Sequence, residues 1–173
     1  QMFAYSSQGN RGTNWTEELF NDTVPQSQYN VSLNGGNDRV TYFFNLGYMD
    51  QMGAYKSGSL NYNRWNFRSN VDVKITERLK AVVQLSGYMD EKNQPFTDIW
   101  AVYKKAWTYK PTAEAYVDGN HDYPAYTSEF LESENPVAAI DSDLTGYRQE
   151  KRQNLNGSLA LTWDIPGVKG LNV

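Results

Sequence analysis

The sequence predicts an all-β fold: an antiparallel meander of about five long strands from a transmembrane β-barrel, with a long loop carrying a short helix. Three observations carry that expectation. Apolar and polar residues alternate with period 2 in five windows, the connections between windows differ sharply in length, and the composition is polar yet rich in rings. Aromatics make up 14% and hydrophobic residues 39% of the 173 residues, while mean hydropathy is −0.71. Disordered chains carry few aromatics, so the polarity here is interleaved with order. A net charge of −4 with mixed signs leaves no basic footprint for nucleic acid, and the absence of cysteine removes disulfides and thiolate metal sites. No apolar run approaches the ~18 residues of a spanning helix. The start, "QMFAYSSQGNRG", lacks a charged-then-apolar leader pattern, and both it and "GVKGLNV" read as the cut edges of a longer chain.

The first strand is expected at about 28–34, with Tyr29, Val31 and Leu33 on one face and Gln28, Asn30, Ser32 and Asn34 on the other. The cluster Gly35-Gly36-Asn37-Asp38 follows, a turn able to supply positive φ angles. The second strand, about 39–50, sets Val40, Tyr42, Phe44, Leu46 and Tyr48 against Thr41, Phe43, Asn45, Gly47 and Met49. The third, about 60–73, is the clearest: Trp65, Phe67, Ser69, Val71 and Val73 oppose Arg64, Asn66, Arg68, Asn70 and Asp72. After "KITER" a fourth strand at about 79–90 places Leu79, Ala81, Val83, Leu85 and Met89 on one face. A fifth, at about 153–163, does the same with Leu155, Leu159, Leu161 and Trp163.

The segment between the fourth and fifth strands, about 91–152, is a long loop. Within it "FTDIWAVYKKAWTY" predicts an amphipathic helix at about 98–107, capped by Thr97 or Asp98, with Ile99, Val102, Tyr103, Ala106 and Trp107 at helical spacing. The stretch "YKPTAEAYVDGNHDYPAYTSEF" has loop chemistry, and a second short helix is expected around 136–140. Near the start, "NWTEELF" predicts one turn of helix capped by Asn14 or Thr16.

Alternation alone fits a half-buried soluble sheet as well as a membrane barrel. Connection lengths separate the two: they run short, medium, short, very long, short, as in barrels with tight turns at one rim and long loops at the other. Strands of about 9–11 residues cross a bilayer when tilted. Putting the tight turns at one end sets Tyr48 and Trp65 near the outer rim and Trp163 near the inner, which are aromatic-girdle positions. The alternative is a soluble, secreted β-rich carbohydrate-binding module whose aromatics form the binding face.

Residues Gly35-Gly36, Tyr42, Gly47-Tyr48, Gln51, Gly53, Arg64, Arg68, Asn70 and Asp72, with "TNWTEELF" upstream and "ENPVAAID" downstream, resemble the barrel region of SusC/RagA-like TonB-linked outer-membrane transporters. The family more often has Ser where Asn34 precedes the paired glycines. The plug domain, the TonB-contacting segment and the aromatic final strand of that family are not found in the sequence. The resemblance implies energy-coupled import of oligosaccharides or peptides, a SusD-like surface lipoprotein as lid, the TonB complex as energy source, and outer-membrane lipid around the barrel. No cofactor and no covalent chemistry are implied.

Candidate substrate-binding residues are the rings of the long loop: Trp100, Tyr103, Trp107, Tyr109, Tyr123 and Tyr126, with Tyr116 among them. Flat rings with polar tips can stack on sugars or peptides. The competing reading has Trp100, Tyr103 and Trp107 packing the helix onto the barrel mouth, and for any single ring it is the favoured one. The expected water-filled path is lined by Arg64, Asn66, Arg68, Asn70 and Asp72. His121, the single histidine, sits beside Asp118 and Asp122 in "DGNHDYP" without the second histidine or ligand spacing of a metal site, so no metal is assigned. Glu17, Glu18, Glu132 and Glu134 are better explained by helix caps and solvated charge than by glycoside hydrolysis. Nucleophile-elbow, phosphate-loop and dinucleotide fingerprints are missing, so an enzyme is not expected.

Overall fold

The computed structural model describes residues 12–126, 135–168 and 170–173. Glu132, Glu134 and the first 11 residues lie outside them. In order the chain forms α1 (Trp15–Leu19), β1 (Gln26–Gly36), β2 (Val40–Met52), β3 (Asn61–Lys74), β4 (Leu79–Pro95), α2 (Ile99–Thr108), β5 (Tyr116–Val117), β6 (Asn120–Pro124), α3 (Pro136–Ala139), α4 (Ser142–Thr145) and β7 (Tyr147–Trp163). Five strands make one sheet in the order β1-β2-β3-β4-β7, and β5 and β6 form a small hairpin of their own. The residues fall into two compact units, one of Gln1–Pro25, Gln51–Tyr62 and Lys92–Glu150, the other of Gln26–Asp50, Asn63–Glu91 and Lys151–Val173.

The second unit is a two-faced sheet. A Cβ built on Gly47 would collide with the amides of Asn30 and Asn66 at 2.7 Å, which puts the middle of β1, β2 and β3 on a common polar face. The Arg64 guanidinium lies 4.3 Å over the Tyr88 ring on that same face. The other face carries Phe67 beside Gly87, Leu85 beside Gly157, and the Tyr42 ring over Gly35. Period 2 then assigns every remaining position of these strands. The apolar face is not enclosed: Val31, Leu33, Phe44, Trp65, Val83, Leu85, Leu155 and Leu159 are all exposed, and Phe67, Val71 and Val73 are half-buried.

That apolar face is a band with borders. Along its parity β2 passes from Tyr48 to Asp50, β3 from Trp65 to Asn63, β4 from Met89 to Glu91, and β7 from Leu155 to Gln153 and Lys151. At this border Tyr48 and Trp65 stack with centroids 4.4 Å apart, and Lys151 pairs with Glu91 at 3.3 Å. From Trp65 to Val73 the band runs roughly 26 Å along the strand, close to the ~25 Å apolar belt of outer-membrane barrels.

Three tight turns close the opposite end. Asn37 Oδ1 accepts from the Arg39 and Val40 amides at 2.9 Å each, and Thr76 Oγ1 does the same for Arg78 and Leu79 at 3.2 and 3.0 Å. After β7 the chain folds back so that Trp163 and Val173 exchange backbone bonds of 2.8 and 3.1 Å. The expectation that Gly35 and Gly36 supply positive φ is corrected, since neither does. They end β1, and their lack of a side chain admits the Tyr42 ring and the Val40 carbonyl instead.

β4 runs to Pro95 and β7 starts at Tyr147, so both exceed the lengths expected from sequence. Beyond Met89 the chain reads Asp90, Glu91, Lys92, Asn93, Gln94, where both faces are polar and period 2 carries no signal. Pairing continues regardless, with Gln149 Nε2 donating to Asn93 Oδ1 at 3.0 Å and the Phe96 amide to Gly146 O at 3.0 Å. The remaining loop is correspondingly shorter than 91–152, and its described residues include the β5–β6 hairpin and α4, which were not expected.

Candidate functional site

The first unit holds the enclosed hydrophobic cluster of the described residues: Trp15 and Leu19 of α1, Tyr55, Val102 and Ala106 of α2, Ala113, Ala115, Ala125, Ala139 and Ile140. Trp15 Nε1 donates to Lys110 O at 3.0 Å, and its ring meets Tyr109 edge-on at 5.3 Å. α1 forms where expected, but Asn14 does not cap it through its side chain. Asn14 Oδ1 accepts instead from the Thr16 hydroxyl at 2.7 Å.

Asn135 is the polar centre of this unit. It is 5% exposed. Its Nδ2 donates to Ala115 O at 2.9 Å and Ala125 O at 2.8 Å, tying down both ends of the β5–β6 hairpin. Its Oδ1 accepts from the Val137 amide at 2.9 Å, capping α3, whose first residue is Pro136. Sequence reasoning used Asn135-Pro136 as a family marker and missed this role, although an Asn-Pro pair is a helix-start signal. The hairpin was also missed. Asp118 and Gly119, both with positive φ, form its two-residue turn, and Asp-Gly is among the strongest hairpin signals.

α2 is capped as expected: Asp98 accepts from the Trp100 and Ala101 amides at 2.9 and 3.2 Å. The expected apolar stripe is split. Val102 and Ala106 go inward, whereas Trp100, Tyr103 and Trp107 are 77%, 48% and 69% exposed. These three rings form a series, Trp100 to Tyr103 at 6.0 Å and Tyr103 to Trp107 at 6.3 Å, and Phe20 joins it 6.3 Å from Tyr103. Phe20 was not among the candidates, because its contact arises only from the pairing of Phe20 with Tyr55. Tyr109 is partly buried against the core, while Tyr123 and Tyr126 stand exposed on and just after β6. Within the described residues α2 meets the core of this unit through Val102 and Ala106, with Tyr103 against Phe20.

Two titrating phenols mark this unit. The Tyr55 hydroxyl is buried without a hydrogen-bond partner among the described residues, and burial, helped by the Asp98 charge, pushes its pKa up to about 12. Burial also raises Tyr116, with the charge and hydrogen bond of Glu18 adding to it. His121 stacks on Tyr116 at 4.1 Å. It borders a polar cleft of about 490 Å³ with Glu17, Glu18, Glu114 and Asp118. Among the described residues no group of His, Cys, Asp and Glu is arranged to hold a metal ion.

On the sheet, Arg64, Asn66, Arg68, Asn70 and Asp72 share the polar face of β3, as the alternation places them. Arg68 and Asp72 are exposed and the others half-buried.

No family model matches the chain. TonB-dependent receptor P26 of Formosa agariphila is 32% identical over 77 residues, covering 44% of this chain and 8% of that protein. TonB-dependent receptor SusC of Bacteroides thetaiotaomicron is 26% identical over 154 residues, covering 88% of this chain and 15% of SusC. The RagAB peptide importer in its closed-closed state superposes with a TM-score of 0.68 at 22% identity, over 95% of this chain and 18% of that one. The chain is SusC/RagA-like.

The chain spans less than a fifth of the length of these relatives, 8% of P26, 15% of SusC and 18% of the RagAB chain. As a SusC/RagA-like chain it contributes an antiparallel segment of a β-barrel, and its location is the bacterial outer membrane. Its SusC/RagA-like markers fall at constrained positions. Trp15 and Asn135 hold the core of the first unit, and Gly47 leaves room for two amides on the polar face.

Proposed function

We propose that this chain forms part of a TonB-linked outer-membrane importer of oligosaccharides or peptides that works with a SusD-like surface lipoprotein. The observation carrying this reading is the two-sidedness of the sheet: an uncovered apolar band about as tall as a bilayer core, backed by an amide- and arginine-rich face. A soluble module would cover that band with a second layer, since a large exposed apolar surface aggregates in water. In the importer the band meets lipid, and Arg64, Asn66, Arg68, Asn70 and Asp72 line the aqueous path. The first unit, with Trp100, Tyr103, Trp107, Tyr109, Tyr123 and Tyr126, belongs to the outer vestibule. Transport requires no covalent step, so its chemistry is shape, hydrogen bonding and stacking, with energy drawn from the TonB complex.

The test is deletion of the gene in its native host, followed by uptake of labelled oligosaccharide and peptide mixtures. Loss of one substrate class, restored by the full-length gene and abolished again by dissipating the inner-membrane proton gradient, is the expected result. Unchanged uptake of both classes refutes the reading.

A further inference from the structure

By the alternation of β4, Asp90 stands on the polar face of the sheet, yet it is only 8% exposed. A carboxylate withdrawn from water normally holds an ion pair or accepts hydrogen bonds, because its desolvation is otherwise costly. Asp90 does neither among the described residues. The strand register shows what surrounds it. Phe67 lies beside Gly87, and the Ile75 amide donates to Leu79 O at 2.9 Å, which together place Arg64 of β3 directly opposite Asp90. Glu91 pairs with Lys151, and Gln153 Nε2 donates to Met89 Sδ at 3.4 Å, which place Arg152 of β7 opposite Asp90 on the other side.

Asp90 is therefore the centre of a rung with an arginine on either side, each strand about 5 Å from the next. Arg64 does not turn to it, since its guanidinium lies 4.3 Å over the Tyr88 ring. By the same register the neighbouring rung is Asn66, Tyr88 and Asn154, two amides flanking that ring. A partner for Asp90 must donate a hydrogen bond, because a carboxylate only accepts. An ammonium donor is repelled by the two arginines, and an anion satisfies the arginines but has no proton to give Asp90. A hydroxyl carries no charge and both donates and accepts, so one oxygen serves Asp90 and a neighbouring guanidinium together. A peptide unit cannot do this, because its N–H and C=O point to opposite sides of a planar trans bond.

We propose that Asp90, Arg64 and Arg152 form a subsite of the cargo path that reads the vicinal hydroxyls of an uncharged sugar. Asn66 and Asn154 offer amides to its further hydroxyls one rung away, about 7 Å along the strands. The proposal rests on the importer reading and narrows the cargo at this site to neutral oligosaccharide.

The test measures uptake of three labelled mixtures, neutral oligosaccharides, acidic oligosaccharides and peptides, in the native host carrying the full-length gene or its Asp90→Asn variant. In the variant the half-saturation concentration for the neutral oligosaccharides rises about tenfold, as for loss of a hydrogen bond to a charged group. The maximal rate and the other two mixtures are unchanged. An amide at this position removes a buried charge without breaking a pair, so the urea midpoint of the purified full-length variant does not fall. A lowered midpoint overturns the proposal, because the carboxylate then serves the fold. An unchanged half-saturation concentration overturns it too, as does a rise of the same size for peptides. A deletion strain that loses only peptides or only acidic oligosaccharides overturns it while the importer reading stands. A deletion strain that takes up all three mixtures normally refutes the importer reading itself, and the proposal with it.

Discussion

Replacing Asn135 by alanine removes three hydrogen bonds at one stroke, and their worth follows from what each leaves behind. The Val137 amide loses its cap, worth about 1 kcal/mol. Ala125 O, in a residue only 4% exposed, loses the Asn135 donor, which costs about 1–2 kcal/mol. Ala115 O retains the Ala125 amide at 2.9 Å, so its loss is smaller, roughly 0.5 kcal/mol. The sum is about 3 kcal/mol, borne by a hairpin that is marginal by itself because two strands alone are barely stable. The consequence is local opening of residues 115–126. Hydrogen exchange on the full-length protein in detergent measures it: the Ala125 and Val137 amides lose about 100-fold in protection, while strand amides in the middle of β3 do not change. Asn135→Asp separates the parts. It keeps the acceptor for Val137 but faces two carbonyls with a carboxylate, so Ala125 loses protection and Val137 keeps it. If Ala125 exchanges no faster in Asn135→Ala, the latch reasoning is wrong.

Neighbouring positions on β4 test the two faces. Leu85→Arg costs about 2–4 kcal/mol in folding into lipid vesicles, whereas Gln84→Arg costs under about 1 kcal/mol; equal costs would refute the assignment of faces. Gly87→Ala puts a methyl 2.5 Å from the Asn154 carbonyl and 2.9 Å from Phe67, so destabilisation of about 1–3 kcal/mol is expected in the same assay. Gly47→Ala meets only side-chain amides that can swing aside, and its effect is smaller. Tyr55→Phe deletes an unpartnered buried hydroxyl and stabilises the full-length protein by about 1 kcal/mol against urea. The Tyr55 pKa, raised to about 12, means that the folded state holds its proton where the unfolded one has lost it. Stability from this group is therefore complete below about pH 10 and is lost as pH rises through 12. Tyr55→Phe removes that alkaline loss, and an unaltered pH profile would contradict the assignment.

The sheet was legible because period 2 is a one-dimensional signal: Trp65, Phe67, Val71 and Val73 fall on one face of any extended chain. The ends of β4 and β7 were not legible, since a strand with two polar faces has no pattern to read. The tight turns showed in composition, yet their mechanism did not. Asn37 and Thr76 side chains close them, while Gly35 and Gly36 serve contacts with β2 that exist only after pairing.

By itself, then, the order of residues determined the fold class, the polarity of each strand face, the gathering of short turns at one end and the existence of α2 with its Asp98 cap. Each of these depends on near neighbours along the chain, where spacing is equivalent to geometry. Only the tertiary structure decided which face of α2 is buried, that Phe20 joins its rings, and that Asn135 ties the β5–β6 hairpin to α3. Those outcomes turn on residues as distant in sequence as Trp15 and Ile140 meeting in one small core, and no local period encodes a meeting of that kind.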